Sequence, residues 1–362
     1  MEIKQIKSQS DLAAFFSYPQ EIYKNNPFYR RTEDDLVRLI IEGPTHFHNH
    51  AIVVPFLVIN NGEIVARFAL IQDKLLPEYV QVSFFEAQPR LKNLLLKIIE
   101  QIKSYFPGQN KFIIGLNGHL NYGAGFLLDH FEESPLFGLP YSMPYYPDYF
   151  TPLRQHLMVS FRLHIDKQHA YFVAAKSTHD VRGLTIRKLN MKNFKDEIKI
   201  YTYLNNACFQ AHPFWADRNW EEDYEMFYPF RFLINEENLL FLEQDGLPIG
   251  FLLWYPDFNL LVSSPRQLNV FDVLRYRLMN PIRTLRFTEI GVLPEYRKTP
   301  AVLALIQELA LSCVKHKYDY CEAGFIFQAN RESIRMTKRF LRRVTGQEML
   351  PYRKFAVYEG AL

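Results

Sequence analysis

Twice along this 362-residue chain the same order of local patterns recurs: strand, helix, hairpin, strand, helix, strand. In the first half, alternation at Ile3 and Ile6 marks a strand, and Ser10-Asp11 caps a helix running from Asp11 to about Asn25. Strands Ala51–Ile59 and Glu63–Gln72 are joined by Asn60-Asn61-Gly62, and a short Asn-Gly connection is a strong hairpin signal. A strand at Gln81–Glu86 and a helix beginning after Pro89 follow. Leu91, Leu94, Leu95, Ile98, Ile99, Ile102 and Tyr105 share one face of that helix. Lys111–Leu116 reads as the next buried strand. The second half repeats the order with Leu184–Leu189, Phe194–Phe209, a hairpin of Leu239–Gln244 and Pro248–Tyr255 around Asp245-Gly246, Leu285–Val292, Pro300–His316 and Tyr320–Phe327. A helix from Arg331 to about Val344 and a strand Arg353–Tyr358 close it. The chain is therefore read as two copies of one mixed α/β (α+β) unit, residues 1–167 and 168–362, divided after the strand Val159–Ile165. One helical segment, Asn269–Met279, lies outside the repeat and is expected to cover a substrate cleft with Val270, Phe271, Leu274 and Leu278.

Bulk properties narrow the function classes. The apolar share of 48% and charged share of 22% are those of a soluble globular protein. A net charge of +3 gives no field that would draw nucleic acid or an anionic membrane. No apolar run approaches the roughly 18–20 residues that span a bilayer. Cys208, Cys313 and Cys321 at irregular spacing suit reduced thiols, and with no signal core at the N-terminus the expected compartment is the cytoplasm.

The turn Val292-Leu-Pro-Glu-Tyr-Arg-Lys298, opening a helix after a buried strand, resembles the acyl-CoA loop of the GNAT (Gcn5-related N-acetyltransferase) fold. A subgroup of two-unit GNAT-like bacterial proteins is similar over most of the chain. The resemblance is carried by Tyr23-Lys-Asn-Asn-Pro-Phe-Tyr29, Gly138-Leu-Pro-Tyr-Ser-Met-Pro-Tyr-Tyr-Pro-Asp-Tyr149 and Ile290-Gly-Val-Leu-Pro-Glu-Tyr296. It implies two tandem GNAT-like units, each a mixed, mainly antiparallel sheet flanked by helices, with the first unit degenerate. It also implies acetyl-CoA or another acyl-CoA as co-substrate, with Ile290, Val292, Arg297, Lys298, Thr299, Ala301, Val302 and Asn330 as the residues that would meet it. Helix N-termini favour phosphate through free N–H groups and the helix dipole. Pro300 and Val302 stand where the family loop has glycines, however, and Thr299-Pro300 also reads as an ordinary helix cap without any ligand.

Catalytic candidates follow. Glu289 lies on the strand before the loop among apolar neighbours, where burial would raise its pKa and suit a general base; a salt bridge to Arg283 or Arg286 is the competing reading. The family's tyrosine acid, seven residues beyond the asparagine, is replaced by Thr337, and Tyr352 is the nearest downstream phenol. The glycine-rich stretch Gly115–Gly125 offers Asn117, His119, Asn121 and Tyr122 as substrate contacts, or serves only as a structural loop. His46-Phe-His-Asn-His50 has no nearby ligand to complete a zinc set, so no metal is expected. Cys208 near His212 reads as a buried thiol rather than a nucleophile. The expected function is N-acyl transfer to a small-molecule or peptide amine, without nucleic acid or membrane partners and in a chain that admits a homodimer. The alternative is a non-catalytic ligand-binding protein whose cofactor loop has lapsed.

Overall fold

Each half of the chain lends its last strand to the other, and this exchange joins the thirteen described strands into one sheet. The structure, a computed structural model, describes residues 1–166, 183–263, 265–297, 301–345 and 348–362, with backbone alone at 301 and 343–345. The first half holds β1 (Glu2–Gln5), α1 (Gln9–Ile22), α2 (Asp34–Glu42), β2 (Ala51–Asn60), β3 (Glu63–Asp73), β4 (Val80–Ala87) and α3 (Leu94–Tyr105). It continues through β5 (Lys111–Ile114), the short β6 (Phe126–Leu127), one-turn α4 (Tyr146–Tyr149) and β7 (Arg154–His164). The second half holds β8 (Leu184–Lys188), α5 (Phe194–Phe209), α6 (Trp220–Phe227), β9 (Leu239–Gln244), β10 (Leu247–Pro256) and α7 (Val270–Met279). It ends with β11 (Thr284–Val292), α8 (Ala301–Lys315), β12 (Tyr320–Phe327), α9 (Arg331–Thr345) and β13 (Lys354–Ala361).

Along the sheet the order is β1-β2-β3-β4-β5-β13-β7-β12-β11-β10-β9-β8, with β6 beside β13. Among the described residues only two neighbouring pairs are parallel, β4 with β5 and β11 with β12. Each of them is bridged by a helix, α3 and α8 respectively, as a parallel pair requires. The exchange is cemented at β13, where Phe355, Ala356 and Val357 are all fully buried. Three consecutive buried residues mean that both faces of the strand are covered. Both hairpins form as expected: Asn61-Gly62 and Asp245-Gly246 take positive φ at both positions, the backbone that tight two-residue hairpins need.

Some elements differ from the sequence expectation. The α1 helix begins at Gln9 because Ser8, not Ser10, accepts the Asp11 N–H, and it stops at Ile22. Helices α2 and α6 were not anticipated. The segment expected to cover the cleft does not do so: Val270, Phe271, Leu274 and Leu278 of α7 are more than half exposed. That helix is held by its other side, where Tyr276 is buried and Arg277 donates to the Phe232 and Ile234 carbonyls. None of the described helices is long and apolar enough to cross a membrane.

Candidate functional site

Strands β11 and β12 pair only from Thr284–Tyr320 to Phe287–Ala323, and beyond those residues they part. A bulge flanks the split on each side. On β11, Trp254 faces Phe287 while Leu253 faces Glu289, leaving Thr288 as the extra residue. On β12 the register against β7 slips between Ala323 and Ile326, around Gly324 at φ +147°. A Cβ there would lie 2.9 Å from Ser160, so only glycine fits. The split opens into a cleft of about 1030 Å³ lined from both halves of the chain.

Glu289 stands at this split. Its Oε2 accepts the Tyr201 hydroxyl at 3.0 Å and also the Asn205 amide. Tyr201 and Asn205 are four residues apart on α5 and so share one helix face. Burial pushes the Glu289 carboxyl above its ordinary range, with Arg218 and the two hydrogen bonds opposing. The competing salt bridge does not form: Arg286 donates to the carbonyls of Gly324 and Phe137 and to the Tyr255 hydroxyl, and Arg283 to those of Asn280 and Ile282. Behind Asn205, its Oδ1 accepts from Arg218 at 3.0 Å, and Arg218 forms a fully buried ion pair with Asp223 at 2.6 Å.

The glycine-rich loop reaches the same place. Asn121 donates to the Tyr201 hydroxyl at 3.2 Å, so the loop of the first half steadies the phenol that holds Glu289. Asn117, Asn121 and Tyr122 line the cleft, although Asn117 accepts the Phe84 N–H and Tyr122 donates to Glu222. His119 does not line the cleft. It is 3% exposed, its Nε2 donates to the Ala216 carbonyl, and its Nδ1 accepts from the Asn121 N–H and from Arg218. Burial and the Arg218 charge push its pKa well below the usual value, so it stays neutral.

Of the expected cofactor residues, Ile290, Val292, Arg297, Val302 and Asn330 line the cleft. Ala301 opens α8, while Lys298 and Thr299, with Pro300, lie outside the described residues. Arg297 donates to the Cys208 and Val292 carbonyls, stapling the end of α5 to the end of β11. Asn330 caps α9 by accepting the Ser333 N–H. Tyr352 is not brought to the cleft: its hydroxyl donates to Glu133 and accepts from Arg162, in a charged cluster that Arg353 completes. The three histidines sit in and just after a tight helical turn, His46–Asn49, at the entrance to β2. His46 meets Glu225, His48 meets Thr45, and His50 bridges Asp73 and Glu222. Cys208 is a buried thiol pushed up to about 12, chiefly by burial.

A tandem GNAT protein from the clavulanic acid biosynthesis pathway, solved without acetyl-CoA, superposes with a TM-score of 0.55 at 10% identity, covering 99% of this chain and 98% of that one. The chain has the tandem GNAT fold. A Gcn5-related glucosamine N-acetyltransferase region of a fungal multi-domain GH3 β-N-acetylglucosaminidase aligns at a TM-score of 0.57 and 11% identity over 99% of this chain, which spans 38% of that protein. In sequence, Protein YghO of Escherichia coli (strain K12) is 23% identical over 384 residues, 99% of this chain and 94% of YghO. No protein-family model matches.

Where the halves of this tandem GNAT fold meet, two carboxyls, the buried Asp257 and the partly buried Glu33, are held above their ordinary range. Asp257 Oδ1 accepts the N–H groups of Phe137 and Asn259, and burial pushes its pKa to about 7. Burial does the same to Glu33, to about 7, with Arg286 opposing. Both hold more protons folded than unfolded across roughly pH 4 to 7, so they favour the folded state least at the upper end of that window. For His50 burial alone would lower the pKa, but its bonds to Asp73 and Glu222 raise it to about 9. Its contribution is complete below about pH 6.5 and is lost on rising through about 9. These three groups give the melting temperature a downward slope from about pH 5 to 9, which the depressed pKa values of His48, His119 and His212 oppose below about pH 6.5. Asp257→Asn, which keeps the accepting Oδ1, should flatten the acid part of that slope in calorimetry; an unchanged slope would contradict the assignment to Asp257.

Proposed function

We propose that this protein is an N-acyltransferase, moving an acyl group from acyl-coenzyme A to an amine held in the cleft between its halves. The observation that carries this reading is Glu289, a desolvated carboxylate fixed by Tyr201 and Asn205 at the point where β11 and β12 separate. A carboxyl with a raised pKa is a stronger base than one in water, and it suits removal of a proton from an attacking amine. The thioester supplies the activated acyl group. Parting strands leave backbone N–H groups of β11 without a β12 partner beyond Phe287, and such fixed dipoles can polarise a carbonyl in a dry site. Ile290 and Val292 are the residues of that edge, and Arg297, Val302 and the start of α8 would face the phosphates. Thr337 lines the cleft but its hydroxyl is too weak an acid to protonate a thiolate.

Acetyl-CoA and coenzyme A at millimolar concentration should raise the melting temperature, since a ligand of the folded state stabilises by RT ln(1 + [L]/Kd). Calorimetric titration gives the affinity directly. No shift and no heat from either compound would remove the reading.

A further inference from the structure

The cleft does not end at Glu289. It continues to the first half, where β3 and β4 form its far wall. There Glu86 accepts the hydroxyls of Tyr23 at 2.9 Å and Tyr146 at 2.6 Å, both on Oε2. This matches the way Tyr201 and Asn205 grip one oxygen of Glu289 in the second half. Directly across the strand pair from Glu86 is Arg67, 5% exposed. Its Nη1 donates to the Phe15 carbonyl at 2.7 Å rather than to Glu86, and its Nε has no hydrogen-bond partner. A buried donor left without a partner is costly, so an acceptor brought into the cleft beside it would be favoured.

The chemistry of that something can be read from the wall. Charges of both signs line this end of the cleft: Arg30 and Arg67 against Glu33, Asp34 and Glu86. A simple anion would meet the carboxylates and a simple diamine the guanidinium groups. A zwitterion is complemented by both. Tyr29, stacked on Tyr23 with ring centres 3.9 Å apart, adds an aromatic face suited to an ammonium group.

We infer that this end of the cleft binds an amino-acid head group, its ammonium on Glu86 and its carboxylate on Arg67, so that the acceptor is an amino acid whose side chain carries a second amine toward Glu289. The inference rests on the acyl-transfer reading for the fate of that second amine. The head-group site itself does not depend on it.

The test is calorimetric titration of the full chain, without acyl-CoA, using L-lysine, L-ornithine, cadaverine (no carboxylate) and 6-aminohexanoate (no α-amine). At least one diamino acid is expected to bind about tenfold or more tighter than cadaverine and 6-aminohexanoate. Glu86→Gln keeps an oxygen for the two tyrosines and should weaken the diamino acid about tenfold while leaving acetyl-CoA binding intact. Equal binding of cadaverine, or no binding of either diamino acid at millimolar concentration, would overturn the inference. Acetyl-CoA binding with no diamino-acid binding sinks this inference alone; the reverse pattern supports the head-group site and sinks the acyl-transfer reading.

Discussion

Replacing Glu289 by Gln is expected to lower kcat/KM for acyl transfer by about 10²–10⁴-fold in a chain that still folds. Glutamine keeps an oxygen to accept the Tyr201 and Asn205 bonds, so the local geometry is preserved and only the proton acceptor is lost. Because burial raises the Glu289 carboxyl, the base is ionised only above the ordinary carboxylate range. The wild-type rate should therefore rise with pH through an apparent pKa above that of a free glutamate, about 4.3, and the variant should lack this limb. Steady-state kinetics across pH decides it. A variant retaining activity to within about threefold, with the same pH profile, would show that another group takes the proton.

Arg218→Met carries the largest expected loss of stability. The Arg218–Asp223 pair is buried on both sides, and the guanidinium also bonds Asn205 and His119. Removing it leaves the Asp223 carboxylate without its cation in a dry site. Breaking a buried pair from one side costs about 3–5 kcal/mol. For a chain above 250 residues that corresponds to a fall in melting temperature on the order of 10 °C. Since Asn205 loses the donor that orients it, kcat should fall as well, whereas Asp223→Asn, which leaves Arg218 in place, should disturb Asn205 less. The double variant Arg218→Met/Asp223→Leu should regain part of the stability, because the stranded charge is gone. A double variant less stable than Arg218→Met would count against charge burial as the cause. Differential scanning calorimetry of the three variants makes the comparison.

Much of the scaffold was legible locally. The strands of both hairpins, α5 at Phe194–Phe209 and β12 at Tyr320–Phe327 follow from period-two or helical spacing and turn residues, which a few adjacent positions encode. Helix α2 was overlooked although Leu36, Val37, Ile40 and Ile41 fall at helical spacing behind Asp34 and Asp35. The exchange of β7 and β13 between halves has no local signal, because strand pairing is set by contacts far apart in sequence. Glu289 was legible as a carboxylate on an apolar strand. The residues that hold it were not: Tyr201 is 88 positions away and Asn205 is 84. Polar residues recurring on the buried face of α5 (Glu197, Tyr201, Thr202, Asn205) were the available clue, since a core-facing stripe is normally apolar. Tyr352, the nearest phenol downstream of Thr337, and His119, in the glycine-rich loop, carry no local signal of the ion pairs and burial that place them elsewhere.

Amide hydrogen exchange with and without acetyl-CoA tests the central claim most directly, because the opening between β11 and β12 leaves backbone N–H groups that a bound acyl donor would cover. The expected result is slower exchange at Thr288–Val292, at the start of α8 and along Gly324–Phe327, with β2 and β3 unchanged. Exchange unaltered at Thr288–Val292 under saturating acetyl-CoA, or slowed only elsewhere, would contradict acyl transfer at Glu289.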